Sequence, residues 1–137
     1  MSSIDPNLYV GSLEAAKDNN WILTTAGINA IIGFLSPNVA FPYSDAVRST
    51  CEINFFRIED GDPKFVTLFF ESVNKMLRRY LNDKKKVLVH CNSGQSRSVS
   101  AALLYAMHEK GLSLKVSFFS YSVVNVLLNA EESSCLA

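Results

Sequence analysis

Cys91 and Arg97 stand six positions apart in the stretch KKKVLVHCNSGQSRSVSAALLYAM, between an apolar run and a helix-like pattern. Their types and spacing suit phosphoryl chemistry. A polar loop running from a strand end into a helix amino terminus turns successive backbone N–H groups toward one concavity, where the helix dipole adds positive potential. Asn92, Ser93, Gly94, Gln95 and Ser96 make up that loop, and Gly94 can take a positive φ where the chain tightens. A tetrahedral oxyanion fits such a nest. The same field favours a thiolate over a thiol, so Cys91 is expected to be ionised and nucleophilic at neutral pH. Arg97 offers a planar fork that can hold two oxygens of one phosphate.

A thiolate attacking a phosphate ester also needs a proton donor, because a phenolate or alkoxide leaves poorly without one. A carboxyl on a mobile loop can give that proton and later recover one from water. The turn EDGDP supplies Glu59, Asp60 and Asp62. Glu59 alternates to the opposite side of the extended segment, and Asp62 precedes Pro63; Asp60 and Asp62 both stay open as the acid. His90 reads as an orienting hydrogen-bond partner of the loop, and His108 as a helix-surface residue.

These groups need a scaffold. SLEAAKDNN (Ser12 to Asn20) predicts a short helix capped by serine, and INAIIGF (Ile28 to Phe34) a buried strand. SPNVAFPYSD (Ser36 to Asp45) predicts a surface loop whose Phe41 and Tyr43 line a substrate groove, and EINFFRI (Glu52 to Ile58) a second strand. Phe65, Phe69, Val73, Met76, Leu77 and Tyr80 then trace the buried stripe of a helix reaching about Leu81, with Lys75, Arg78 and Arg79 toward solvent. KVLVH predicts a strand, and Val99, Ala102, Leu103, Ala106 and Met107 the buried face of a helix that stops near Gly111. Alternating strands and helices predict an α/β fold, a mixed, mostly parallel sheet flanked by helices, with the site at the strands' carboxyl ends.

Bulk properties narrow the partners. The 137 residues, 48% hydrophobic, suit one compact domain, and no repeat or linker divides them. A net charge of +0 argues against a nucleic-acid strand or an anionic membrane as partner. Cys51, Cys91 and Cys135 fit neither a disulfide framework nor paired zinc ligands; no metal or cofactor is expected, and Cys51 and Cys135 read as apolar core residues. The start MSSIDPNLYV carries no signal-peptide pattern, so a reducing, cytoplasmic or nuclear setting is expected. VSFFSYSVVNVLLNA falls short of the roughly 20 apolar residues that span a bilayer and reads as a core helix. Lys84 to Lys86 read as a solvated turn, with substrate steering as the alternative.

The run HCNSGQSRS carries the cysteine-five-residues-arginine signature, with His before it and Ser after it. It resembles the protein tyrosine phosphatase superfamily and, in so short a chain, the dual-specificity branch. IDPNLYVGSLEAAKD is similar to the opening of such domains, and INFFRIEDGDPKF to the strand and loop carrying their general acid. Roughly Ile4 to Phe118 is covered. The resemblance implies Cys91 as nucleophile, Arg97 as phosphate clamp, Asp60 as acid, and Ser98 as the group that helps release the cysteine when the phosphoenzyme breaks down. It also implies phosphotyrosine and phosphoserine or phosphothreonine proteins as substrates, for a monomer or weak dimer. The neutral loop side chains tilt against phosphoinositides and RNA 5′-ends. Residues 1–137 thus read as one catalytic domain, atypical or truncated after about residue 118, where VSFFSYSVVNVLLNAEESSCLA departs from the family's ending. Binding of phosphoproteins without turnover is the alternative from outside the enzymes.

Overall fold

A computed structural model of the chain describes residues 5–92 and 97–111. In chain order the strands are β1 (Leu8–Gly11), β2 (Ala30–Leu35), β3 (Glu52–Arg57) and β4 (Val87–His90), forming one sheet in the order β1-β4-β2-β3. Every pairing among them is parallel, with Ala30 opposite both Val87 and Glu52. That is the helix-flanked, mostly parallel sheet the alternation predicts. Its central strands β2 and β4 are buried at every position, as near-continuous apolar runs covered on both faces must be.

Two elements escaped the sequence reading. β1 is four residues long and is recognisable only through its pairing with β4. Helix α2 (Asp45–Thr50) follows Ser44, whose Oγ accepts from Val47 N at 3.2 Å. Helix α1 (Leu13–Lys17) is shorter than expected. Asp18 Oδ1 accepts from Trp21 N at 3.0 Å, and a π-helical turn, Trp21–Thr25, begins just after the predicted stretch Ser12 to Asn20.

Helix α3 (Lys64–Leu68), a π turn (Phe69–Val73) and helix α4 (Asn74–Asn82) together form the predicted long helix. Phe65, Phe69, Val73, Leu77 and Tyr80 are buried under the sheet, while Lys75, Arg78 and Arg79 are exposed. α4 closes through Lys84 N to Leu81 O at 3.1 Å and Lys85 N to Tyr80 O at 3.0 Å, with Lys84 at φ 63°.

Helix α5 (Arg97–Glu109) is rotated by one residue from the expected face. Ser98, Ala101, Ala102, Tyr105 and Ala106 are buried, whereas Met107 is 40% exposed. Small alanines let the helix approach the sheet closely, so close packing, rather than side-chain size, selects the buried stripe.

Two apolar clusters sandwich the sheet: one contains Phe34, Phe69, Leu77 and Tyr105, the other Ile22, Ile31, Val47 and Leu88. Cys51 is buried, as expected, and its Sγ–H donates to Ile28 O at 3.2 Å. It precedes Glu52, which pairs with Ala30, whereas Cys91 follows His90, which pairs with Gly33. Five residues of strand separate those levels, roughly 16 Å at the usual rise, far beyond disulfide reach. Cys135 and the expected helix in VSFFSYSVVNVLLNA lie outside the described residues.

Candidate active site

The carboxyl ends of three adjacent strands converge on one point. β4 delivers Cys91, fully buried, and Cys91 Sγ lies 3.3 Å from Ser98 Oγ in the first turn of α5. Arg97, 6% exposed, opens that helix; its Nη1 donates to Ile58 O at 2.6 Å, just past β3, and to Ser36 Oγ at 3.2 Å, just past β2. The guanidinium therefore ties two strand ends to the helix that follows the third. Arg97 Nε is buried and has no acceptor among the described residues.

Asn92 does more than offer a backbone amide. Its Nδ2 donates to Ser36 Oγ at 3.1 Å, and its carbonyl accepts from Leu13 N at 3.1 Å, fastening the start of the loop to β2 and α1. Ser93, Gly94, Gln95 and Ser96 lie outside the described residues.

His90 is fully buried, with Nε2 2.5 Å from the Tyr43 hydroxyl. Burial pushes its pKa down from 6.5 to about 4, so the imidazole is neutral at physiological pH. Burial also holds the Tyr43 phenol protonated by raising its pKa well above the ordinary value. The hydroxyl is thus the donor and Nε2 the acceptor, which leaves the ring proton on Nδ1. Gly33 makes the contact possible. A Cβ there would overlap the Tyr43 hydroxyl and come within 2.7 Å of His90 Nε2. Tyr43 is accordingly not a groove residue: it is 5% exposed, and only Phe41, 43% exposed, reaches the surface as expected.

The acidic turn separates its two aspartates. Asp62 Oδ1 accepts from Lys64 N at 2.9 Å and its carbonyl accepts from Phe65 N at 3.0 Å, so Asp62 caps α3. Asp60 lies on the exposed turn between Ile58, which holds Arg97, and Gly61 at φ 81°. Lys84 to Lys86 sit at the opposite end of β4 from Cys91, too far along the strand to line the pocket. Lys85 Nζ instead bonds Glu52 Oε1 at 2.9 Å, and His108 is exposed on α5 as expected.

Ser36, the Ile58 carbonyl and Gly33 are the site components that sequence reasoning missed. Ser36 and Ile58 leave no sequence signal. Gly33 does: a glycine within the apolar strand AIIGFL marks a close approach of another group.

Comparison with known proteins gives the same outline. Residues 8–126 match the family model described as dual specificity phosphatase, catalytic domain, a match that runs past residue 118. The chain is 32% identical over 113 residues to tyrosine-protein phosphatase yvh1 of Schizosaccharomyces pombe, covering 80% of this chain and 31% of that protein. It is 27% identical over 113 residues to dual specificity protein phosphatase 1 of Arabidopsis thaliana, covering 82% and 54%. It thus spans between about a third and a half of the length of these curated relatives. The fold is similar to the crystal structure of human tyrosine phosphatase-like serine/threonine/tyrosine-interacting protein, with TM-score 0.76 at 23% identity, covering 100% of this chain and 98% of that one.

Proposed function

Because the chain belongs to the dual specificity phosphatase family, we propose that it is a protein phosphatase, a single catalytic domain that hydrolyses phosphotyrosine and phosphoserine or phosphothreonine monoesters through a phosphocysteine intermediate. The observation that carries this reading is the meeting of Cys91 Sγ with Ser98 Oγ at 3.3 Å beside the buried Arg97.

The substrate's phosphate oxygens lie against Arg97, whose buried Nε has no acceptor among the described residues, and the expected nest of loop amides supplies the remaining donors. The Cys91 thiolate attacks phosphorus; the S–P bond forms as the ester P–O bond breaks, and the departing oxygen takes the proton of Asp60. Water then attacks phosphorus and passes a proton to the Asp60 carboxylate. The S–P bond breaks, its electron pair returns to sulfur, and the Ser98 hydroxyl donates a hydrogen bond to the reforming thiolate. Ester and water have become alcohol or phenol and inorganic phosphate.

Asp60 is assigned the acid role over Asp62 because it stands at the position the family resemblance implies, while Asp62 Oδ1 accepts from Lys64 N at the start of α3. His90 is assigned a positioning role: neutral and held by Tyr43, it presents its Nδ1 proton to its own chain neighbourhood and carries no proton to substrate. A nucleophilic thiolate requires reducing surroundings, which supports a cytoplasmic or nuclear address, and the reading is of a monomer or weak dimer acting on phosphorylated proteins.

A substrate panel tests the assignment. Phosphotyrosine and phosphothreonine peptides are expected to be hydrolysed at higher kcat/KM than a phosphoinositide or a 5′-triphosphorylated RNA. Preference for either of the last two would overturn the protein-substrate reading.

A further inference from the structure

Ser36 follows directly on β2, and both of its oxygens are engaged. Ser36, Pro37, Asn38 and Val39 form a β-turn: Val39 N donates to Ser36 O at 3.1 Å, and Pro37 brings the fixed φ that suits the turn's second position. Arg57 Nη1, from the end of β3, donates to the same carbonyl at 3.0 Å. Ile58 N donates to Leu35 O at 3.0 Å, joining the two strands at the same level. The backbone at Ser36 is therefore fixed before its side chain meets anything.

The hydroxyl meets two donors that arrive from β4's side of the site. Asn92 Nδ2 lies 3.1 Å and Arg97 Nη1 3.2 Å from Ser36 Oγ. Both nitrogens are donors only, so the hydroxyl oxygen accepts from both and its two lone pairs are used. Arg97 Nη1 carries two hydrogens, and the Ile58 carbonyl takes the other at 2.6 Å. That corner of the guanidinium is filled. Nε, in contrast, is buried with no acceptor among the described residues, so an anion meets the fork along the edge that Nε and Nη2 share.

The two acceptors are neutral oxygens, and they orient the guanidinium without cancelling its charge. A carboxylate in Ser36's place would hold Arg97 as firmly and take away the attraction that a phosphate needs. We propose that Ser36 is a positioning residue of the phosphate clamp: its hydroxyl, accepting from Asn92 and Arg97 together, locks one corner of the guanidinium and presents the other edge to phosphate with its charge intact. This deepens the phosphatase reading and rests on it in taking phosphate as the ligand.

The test uses the full chain and inorganic phosphate, with affinity read by phosphorus NMR line broadening and stability read as Tm. Ser36→Thr keeps the hydroxyl and is expected to bind phosphate as wild type does. Ser36→Ala is expected to weaken phosphate about tenfold and to lower the Tm. Ser36→Asp is expected to weaken phosphate about a hundredfold while its Tm stays at or above that of Ser36→Ala, because the carboxylate holds both donors but cancels the charge. A residue that only supported the fold would show affinity falling in step with Tm.

Wild-type affinity in Ser36→Ala overturns the proposal. So does Ser36→Asp binding phosphate better than Ser36→Ala, or affinity that follows Tm across the three variants. The readout is binding, so folded wild-type protein that binds phosphate but hydrolyses no aryl phosphate overturns the phosphatase reading, while the variants' affinities still decide the role of Ser36.

Discussion

The Tyr43 hydroxyl lies 2.5 Å from His90 Nε2 across the space left by Gly33, directly behind the residue that precedes Cys91. Removing the hydroxyl leaves a buried ring nitrogen unpaired. Tyr43→Phe is expected to cost about 1–3 kcal/mol of stability by chemical denaturation. Gly33→Ala, which forces a Cβ against both groups, is expected to destabilise as well. A Tyr43→Phe protein as stable as wild type would remove this contact from the account.

The burial of His90 makes stability pH-dependent in a definite direction. Its folded pKa of about 4 lies below its ordinary 6.5, so between those values the unfolded chain binds the proton and the folded chain does not. Stability therefore rises with pH across that window and is lost as pH falls, by roughly 1 kcal/mol per unit. Denaturation of wild type and His90→Gln from pH 7 to pH 5 isolates the contribution. The slope should be steeper in wild type; equal slopes would mean that His90 is protonated in the folded state.

The two aspartates of the acidic turn should separate cleanly. Asp60→Ala is expected to lower kcat by about 10²–10⁴-fold on a phosphopeptide. The loss should shrink with an aryl phosphate whose leaving group needs no proton. Asp62→Ala should instead loosen the start of α3, costing about 1 kcal/mol, with kcat largely retained. The reverse pattern in steady-state kinetics would exchange their roles.

Lys84 holds φ 63° at the end of α4, a conformation that suits glycine, and its side chain is exposed. Lys84→Gly is expected to stabilise the fold by about 0.5–1 kcal/mol, visible as a raised Tm. A lowered Tm would show that the lysine side chain contributes more than its backbone costs.

The elements nearest the chemistry were the most legible. VLVH and the helix that begins at Arg97 are encoded by local pattern, and the Phe65-to-Tyr80 stripe is long enough for its period to stand out. Weaker signals came from parts whose identity rests on distant partners. β1 exists through β4, and Ser36 matters only because Asn92 and Arg97 arrive beside it from across the sheet. Tyr43 was misread for a related reason: an aromatic in a proline-flanked loop reads as surface until its buried partner, His90, is known. The one-residue rotation of α5 came from weighting Leu103 and Met107 above Ser98 and Ala101, where closeness of approach outweighs size.

Phosphate release from a small aryl phosphate, under reducing conditions with a chelator present, compared between wild type and Cys91→Ser, tests the central claim most directly. Turnover by wild type, unaffected by chelator and lost in Cys91→Ser while the variant still binds phosphate, is the predicted result. Equal turnover by the serine variant, or none by folded wild-type protein, would contradict the phosphocysteine mechanism.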